Sequence, residues 1–94
     1  MKNLFITNII EKVGQEVKLY GWVSNIRDHK KIIFVDLRDR SGIIQLVGDS
    51  SLKKLSHEDV VYIKGTVKKR PQNMVNPNIK TGEVEVEIKE CEII

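Results

Sequence analysis

The chain is poor in the features that cross-link or anchor many small proteins. Among its 94 residues there is one cysteine, Cys91, which excludes an internal disulfide and suits a reducing compartment. No apolar run approaches the roughly 20 residues that a membrane-spanning helix needs. The segment 5–10 is short and carries the polar residues Thr7 and Asn8, so it does not resemble a signal peptide. We therefore expect a soluble, cytoplasmic chain.

Signatures of catalysis and of metal binding are missing from the sequence as well. It contains no glycine-rich phosphate loop, no His-Glu-x-x-His, no Gly-x-Ser-x-Gly and no Cys-x-x-Cys. His29 and His57 stand far apart, without a pattern of cysteines or carboxylates around them. We predict neither a metal site nor a cofactor in this chain, and we expect no catalysis from it alone.

The composition suits one ordinary globular domain over residues 1–94. Hydrophobic residues make up 40% and charged residues 31%, which is enough for a single core with a solvated surface. Sixteen Lys and Arg against thirteen Asp and Glu give a net charge of +3. This mild excess is compatible with a polyanionic partner but does not require one.

Turn signals divide the sequence into five strand-like segments and one short helical segment. Gly21 and Gly65 interrupt two of the strands, where a bulge or bend would help a small barrel to close. The helical segment 52–55, with Ser50 or Ser51 as its N-cap, lies between the third and fourth strands. This order predicts an all-β chain, a five-stranded Greek-key OB-fold barrel. The predicted strands are residues 16–24, 32–38, 43–47, 60–68 and 83–88.

In an OB-fold, the face of strands 2 and 3 and the loops joining strands 1–2 and 4–5 bind oligonucleotides. The two loops are predicted at residues 25–31 and 69–82, and both are rich in basic and amide side chains. The second loop contains Pro71 and Pro77 and is long for a compact domain, which is typical of a functional or a disordered segment.

Phe34 is the most informative residue of the predicted face. Alternation in the second strand places Ile33, Val35 and Leu37 in the core and Phe34 on the other side. Aromatic residues are only 5% of the chain, so an outward ring suggests a platform on which an unpaired base can stack. Alternatively, Phe34 packs beneath the long loop after strand 4.

Polar side chains near Phe34 each allow two interpretations. Arg27 can donate to a phosphate or a base edge, or it can form a salt bridge with Asp28 or Asp36. Gln45 should share the outer face, where its amide can read a base edge or simply remain wet.

Charged residues of the last two strands also allow two interpretations. Glu85 belongs either to a solvated face or to a site that accepts hydrogen bonds from guanine or cytosine. Lys68, Lys69 and Arg70 form the basic run that we expect to meet a nucleic-acid backbone.

Taken together, these residues resemble the N-terminal anticodon-binding domain of bacterial-type aspartyl-tRNA synthetase. The resemblance covers nearly the whole chain. Its central block, residues 33–45, is the most specific part, and Arg70-Pro71 followed by Asn76 also fits the bacterial form. The other matching segments are Gly21-Trp22-Val23, Arg27-Asp28-His29 and residues 81–86.

The resemblance implies recognition of the GUC anticodon of tRNA(Asp), with the bases unstacked over strands 1 to 3. His29 after Arg-Asp is common in members that charge both tRNA(Asp) and tRNA(Asn). With Lys68 from the basic run, the predicted nucleic-acid-binding residues are Arg27, His29, Phe34, Gln45, Lys68, Arg70, Asn76 and Glu85.

Two departures from the family accompany this prediction. Residues 47–59 form a shorter connection than usual, so its helix should be abbreviated. The class II catalytic domain, which would bind ATP, Mg²⁺ and aspartate, is not in this chain, so we expect an excised domain or a free-standing relative. Full-length members are homodimers, whereas we expect the isolated domain to be a monomer. The alternatives are an OB module that binds single-stranded nucleic acid without anticodon preference, and an OB domain that binds proteins.

Overall fold

Five strands close into a barrel in the computed structural model, which describes residues 5–94. The order around the barrel is β1-β2-β3-β5-β4. Neighbouring strands are antiparallel except β3 and β5, which run parallel and share three paired positions. The prediction of a five-stranded OB-fold barrel is therefore confirmed. The strands are β1 (Glu16–His29), β2 (Ile32–Asp39), β3 (Gly42–Gly48), β4 (Val60–Lys69) and β5 (Val84–Ile93).

Period-two alternation fills the barrel, as the sequence predicted. Each strand turns one set of aliphatic side chains inward, since successive residues of a strand point to opposite faces. Ile88, predicted to be inward, is only partly buried against this core. The buried strand residues include Val17, Leu19, Val23, Ile33, Val35, Leu37, Ile44, Leu46, Val61, Ile63, Val67, Val84 and Val86.

Only one of the two strand glycines lies at a bulge. The register between β4 and β5 shifts at Lys64/Gly65, as expected for a bend in a closing barrel. The bulge in β1 lies between Val23 and Asn25 instead, so the prediction of one at Gly21 was wrong. Gly21 allows β1 to approach the backbone of β2 closely, because a Cβ there would lie 2.5 Å from the carbonyl oxygen of Arg38.

The predicted loop at residues 25–31 is wrong, because β1 continues to His29 and pairs with β2 to the end of the hairpin. Only Lys30 and Lys31 form the turn. Lys30 has φ 67, and its backbone N–H donates to Oδ1 of Asp28 over 2.8 Å. Because the Asp28 side chain accepts this hydrogen bond, a turn of two residues is sufficient, and the chain before and after it remains strand.

The fifth strand also extends beyond its prediction, and it begins at Val84 rather than Glu83. Its last residues stay paired with β4, with Cys91 opposite Ile63 and Ile93 opposite Val61. Alternation of side chains breaks down near Ile88 because Lys89 is the extra residue of the bulge opposite Lys64 and Gly65. This irregularity hides the end of the strand from a period-two reading of the sequence.

Three 3₁₀ helices complete the described chain: η1 (Ile6–Lys12), η2 (Ser50–Lys54) and η3 (Gln72–Met74). The first was not predicted, yet it buries Ile6 and Ile9. The second is the abbreviated helix expected between strands 3 and 4, but its N-cap is Asp49, which accepts from the N–H of Ser51 over 2.9 Å. Within residues 5–94 no helix is long and apolar enough to cross a membrane.

Candidate nucleic-acid interface

The outer face of β2 presents Phe34, which is partly exposed. Two basic side chains of β1 flank the ring. The His29 ring stands edge-on to it, with centroids 5.4 Å apart and an interplanar angle of 84°. The Cζ atom of Arg27 lies 6.0 Å from the centroid. The aromatic neighbour of this partly exposed ring thus comes from the β1–β2 hairpin.

Arg27 is held by a neighbour on the same face. Its Nη1 and Nη2 donate to the two carboxylate oxygens of Asp36 over 2.8 and 3.1 Å. This bidentate geometry fixes the plane of the guanidinium as well as its position. The pairing with Asp36, one of the two interpretations of Arg27, therefore leaves the residue at the site with a defined orientation.

Gln45 lies opposite Asp36 on the outer face of the β2–β3 hairpin, but its side chain is only 3% exposed. Of the two interpretations of Gln45, that of a solvated amide is therefore wrong. Oε1 accepts from Nη2 of Arg27 over 3.0 Å, and Nε2 donates to Oε1 of Glu85 over 3.0 Å. A guanidinium can only donate and an ionised carboxylate can only accept, so these partners determine which way the amide points.

Arg70 approaches the same amide from the start of the β4–β5 loop. It is 9% exposed, and its Nε donates to the carbonyl of Val84 over 2.8 Å. Its Nη1 lies 3.4 Å from Oε1 of Gln45 and 3.4 Å from the carbonyl of Met74. Burial lowers the pKa of Arg70, while the carboxylate of Glu85 opposes that shift. The residue is thus a fixed wall of the site and not the free cation that the basic run suggested.

The long loop is ordered by hydrogen bonds at both ends. The backbone N–H of Arg70 donates to Glu83 over 2.8 Å, and that of Asn76 donates to Gly82 over 2.9 Å. The Thr81 hydroxyl donates to the carbonyl of Ile43 on β3. These contacts bring the loop over β3 and place Asn76 beside the buried amide.

Four of the predicted residues meet around one cleft of about 400 Å³: Arg27, Gln45, Arg70 and Asn76. Glu85 stands behind Gln45, and His29 and Phe34 lie at the Arg27 end. Lys68 is not among them, because it is exposed and forms a surface ion pair with Glu87. The remaining lining residues were not predicted, although Ile43 shares the outward parity of Gln45; they are Asp36, Ile43, Met74 and Ile79.

This arrangement combines a flat apolar ring with fixed donors and acceptors at the edge of a concave surface. Stacking binds any base, while the donors and acceptors can distinguish one base edge from another. Among the described residues, no group of three or more His, Cys, Asp or Glu could hold a metal ion. The chemistry that the site offers is recognition of an unpaired base.

Comparison with known proteins agrees with this fold. The tRNA anti-codon family, described as an OB-fold nucleic acid binding domain, matches residues 17–94. The fold and the family match define the chain as an OB-fold nucleic-acid-binding domain. The Aspartate--tRNA(Asp/Asn) ligase of Dictyoglomus turgidum is 47% identical over 91 residues, which cover 88% of this chain and 15% of that protein. The chain belongs to the anticodon-binding OB domains of the aspartate and asparagine tRNA ligases, and the family resemblance seen in the sequence is confirmed.

Solved structures show the same barrel in two settings. Asparaginyl-tRNA synthetase from Pyrococcus horikoshii, complexed with asparaginyl-adenylate, has a TM-score of 0.78 and 28% identity, covering 100% of this chain and 22% of that one. OBody AM2EP06 bound to hen egg-white lysozyme has a TM-score of 0.81 and 27% identity, covering 100% of this chain and 94% of that one. The chain thus spans a small part of the ligase and synthetase relatives and nearly all of the OBody.

Proposed function

We propose that the cleft binds the unpaired GUC anticodon of tRNA(Asp). The observation that carries this proposal is the partly exposed Phe34 ring beside a buried amide whose orientation is fixed by Arg27 and Glu85. The relatives named Aspartate--tRNA(Asp/Asn) ligase support a tRNA partner, and tRNA(Asn), which such names include, is a second candidate substrate.

Phe34 is the proposed stacking platform for one anticodon base. Its neighbours Arg27 and His29 are basic groups at the ring, so a base that stacks there also meets positive charge. Stacking on an aromatic side chain contributes about 1–3 kcal/mol per base and tolerates any base. The ring therefore supplies affinity, and selection among bases must come from the polar groups.

The polar groups around Gln45 are the proposed readers of base edges. Glu85 can accept from the N–H groups of guanine or the amino group of cytosine, and Arg27 can donate to a base carbonyl. Asn76 faces the same cleft and offers both functions in one side chain. Because Gln45 and Arg70 hold these groups in place, little side-chain entropy remains to be lost on binding.

In a longer polypeptide of the ligase kind, aminoacylation with ATP and Mg²⁺ would belong to other domains, and this domain would supply tRNA selection. A protein-binding role is the second candidate, favoured by the similarity to the OBody that binds lysozyme. Binding through phosphates weakens steeply with salt, whereas a protein interface of mixed character does not follow that law. A salt titration therefore separates the two functions.

The direct test compares Phe34→Ala with the matched control Tyr20→Ala. Tyr20 is an exposed aromatic residue of β1 that pairs with β4, away from the cleft. We expect Phe34→Ala to weaken binding of a tRNA(Asp) anticodon stem-loop by about 1–3 kcal/mol and Tyr20→Ala to leave it unchanged. Fluorescence anisotropy between about 50 and 200 mM salt measures both affinity and salt dependence. Equal affinity of the native chain for GUC and scrambled loops would contradict anticodon recognition.

A further inference from the structure

A second cleft continues the first one along the barrel. It has a volume of about 220 Å³ and shares Ile43 and Ile79 with the cleft around Gln45. The two clefts are therefore neighbours on β3 and the β4–β5 loop, with this apolar pair between them. The remaining lining residues of the second cleft are Thr7, Arg38, Ser41, Gly42, Lys80 and Thr81.

The second cleft carries two cations and no carboxylate. Arg38 and Lys80 are both exposed, and within residues 5–94 neither forms a salt bridge or a side-chain hydrogen bond. By contrast, Arg27 is paired with Asp36 and Lys68 with Glu87. The positive charge of this cleft is therefore free to attract an anion.

The carboxylate next to Arg38 in the sequence, that of Asp39, does not pair with it. Oδ2 of Asp39 accepts from the N–H of Ile6 over 2.9 Å, and its Oδ1 accepts from the N–H groups of Ser41 and Gly42 over 2.7 and 3.1 Å. The Ser41 hydroxyl donates to the same Oδ1 over 2.6 Å. These bonds tie the carboxylate to the backbone of the β2–β3 turn and the start of η1.

Lys80 owes its place to the structure of the loop. The Thr81 hydroxyl donates to the carbonyl of Ile43, and the Gly82 N–H donates to the carbonyl of Ile79 over 3.1 Å. The first bond fastens the loop to β3 directly after Lys80, and the second closes a turn of the loop around Lys80. Arg38 arrives from β2, so two separate elements bring their charges to one cleft.

We infer that Arg38 and Lys80 bind a phosphate of the RNA backbone next to the nucleotides read in the first cleft. This inference rests on the proposed function. Phe34 and Arg38 share one face of β2 four residues apart, which is roughly 13 Å at 3.3 Å per residue. A step along one strand of duplex DNA is about 3.4 Å, so the phosphate belongs to a different nucleotide from the base on Phe34.

Because the phosphate site lies away from the groups proposed to read base edges, its loss should change affinity without changing the selection among bases. A phosphate contact adds affinity for every sequence and adds about 0.7 to the steepness of the salt dependence for a single strand. If a variant that lacks this contact binds as tightly as the native chain at 1 M salt, its affinity at 0.1 M salt is about fivefold lower than that of the native chain. Discrimination between GUC and a scrambled loop should remain as it is in the native chain.

The test uses Arg38→Gln, Lys80→Gln and the matched control Lys53→Gln in the 94-residue chain. Lys53 is an exposed lysine of η2 outside both clefts, so its variant changes the net charge equally. We expect each cleft variant to lose about fivefold in affinity at 0.1 M salt for both GUC and scrambled stem-loops, with a reduced salt slope. Circular dichroism melting confirms that each variant is folded.

The outcomes separate this inference from the proposed function. If the native chain prefers the GUC loop but the two cleft variants behave like Lys53→Gln, the phosphate site is wrong and anticodon binding stands. If a cleft variant loses the preference for GUC instead of weakening both loops, Arg38 or Lys80 reads a base and the inference is also overturned. If the native chain binds neither loop, the proposed function fails first.

Discussion

The Nη2 atom of Arg27 lies 3.0 Å from Oε1 of Gln45, and this hydrogen bond turns the amide nitrogen towards Glu85. The same guanidinium is clamped by Asp36. A chain of four side chains from β1, β2, β3 and β5 therefore ends in a carboxylate whose position depends on every link. Three of these four side chains, those of Arg27, Gln45 and Glu85, were predicted from the sequence as site residues, and Asp36 was not.

Removing the negative charge of Asp36 should reduce the discrimination among anticodon loops more than it reduces the stability of the fold. In Asp36→Asn, Arg27 keeps its charge but loses the bidentate clamp, so the Gln45 amide is less firmly directed. We expect discrimination between GUC and single-base variants of the loop to fall by about 1–3 kcal/mol, the range of one base-edge contact. Competition binding with both loops measures it. Glu90→Gln, at an exposed carboxylate of β5, is the control, and a uniform loss for all loops would contradict a role in positioning.

Replacing the buried amide should destabilise the barrel. Gln45→Met preserves approximate length but leaves the buried Arg70 and the partly buried Arg27 and Glu85 without their shared partner. We expect the free energy of unfolding to fall by about 1–3 kcal/mol, the usual cost of leaving buried polar groups unsatisfied. Denaturant unfolding followed by tryptophan fluorescence provides the measurement. Unchanged stability would mean that water replaces the amide at no cost.

Gly82 should tolerate no side chain. A Cβ at this position would overlap the carbonyl oxygen of Asn76, a residue whose backbone N–H already donates to the Gly82 carbonyl over 2.9 Å. We expect Gly82→Ala to cost about 1–3 kcal/mol of stability through forced displacement of the loop. Gly42→Ala is the control, since its Cβ would meet only Thr7 Cγ2, at 3.2 Å. Similar melting temperatures for the two variants would refute the steric explanation.

Cys91 should react slowly with alkylating agents in the folded chain. Burial raises the pKa of its thiol above the ordinary value of 9.0, and Glu92 acts in the same direction while Lys54 opposes it. A raised pKa means less thiolate at a given pH, and the thiolate is the nucleophile. It also means that stability declines as the pH rises above the ordinary value. Iodoacetamide labelling followed by mass spectrometry, with and without denaturant, tests this, and equal rates in both would contradict it.

Much of the barrel could be predicted because alternation of buried and exposed residues is a local property. Ile33, Val35 and Leu37 in β2, for example, identify the core face without knowledge of the neighbouring strands. The end of β1 could not be predicted in this way, since four of the five residues 25–29 are polar and the segment is held as strand by pairing with β2. The first 3₁₀ helix was also missed, because Ile6 and Ile9 are buried only when the barrel is assembled.

The sequence predicted which residues belong to the site more accurately than it predicted their burial and their contacts. Parity placed Gln45 on the outer face, but its burial depends on Arg70 and on a loop that folds back over β3. Lys68 and Arg70 looked equivalent in the basic run, and the structure separates them: one points to solvent and the other is enclosed. Contacts between distant parts of the chain decide both cases.

The parallel pairing of β3 with β5 has a consequence for the whole molecule. It comprises only Gln45 opposite Glu85 and the next two positions along each strand, so the cylinder is joined there by a short junction. A ligand that binds Arg27 and Glu85, which are linked through Gln45, therefore holds together the two strands at this junction. At a concentration 100 times its dissociation constant, such a ligand would add about 2.7 kcal/mol to the free energy of unfolding. The slowing of amide hydrogen exchange on binding should be largest in β3 and β5.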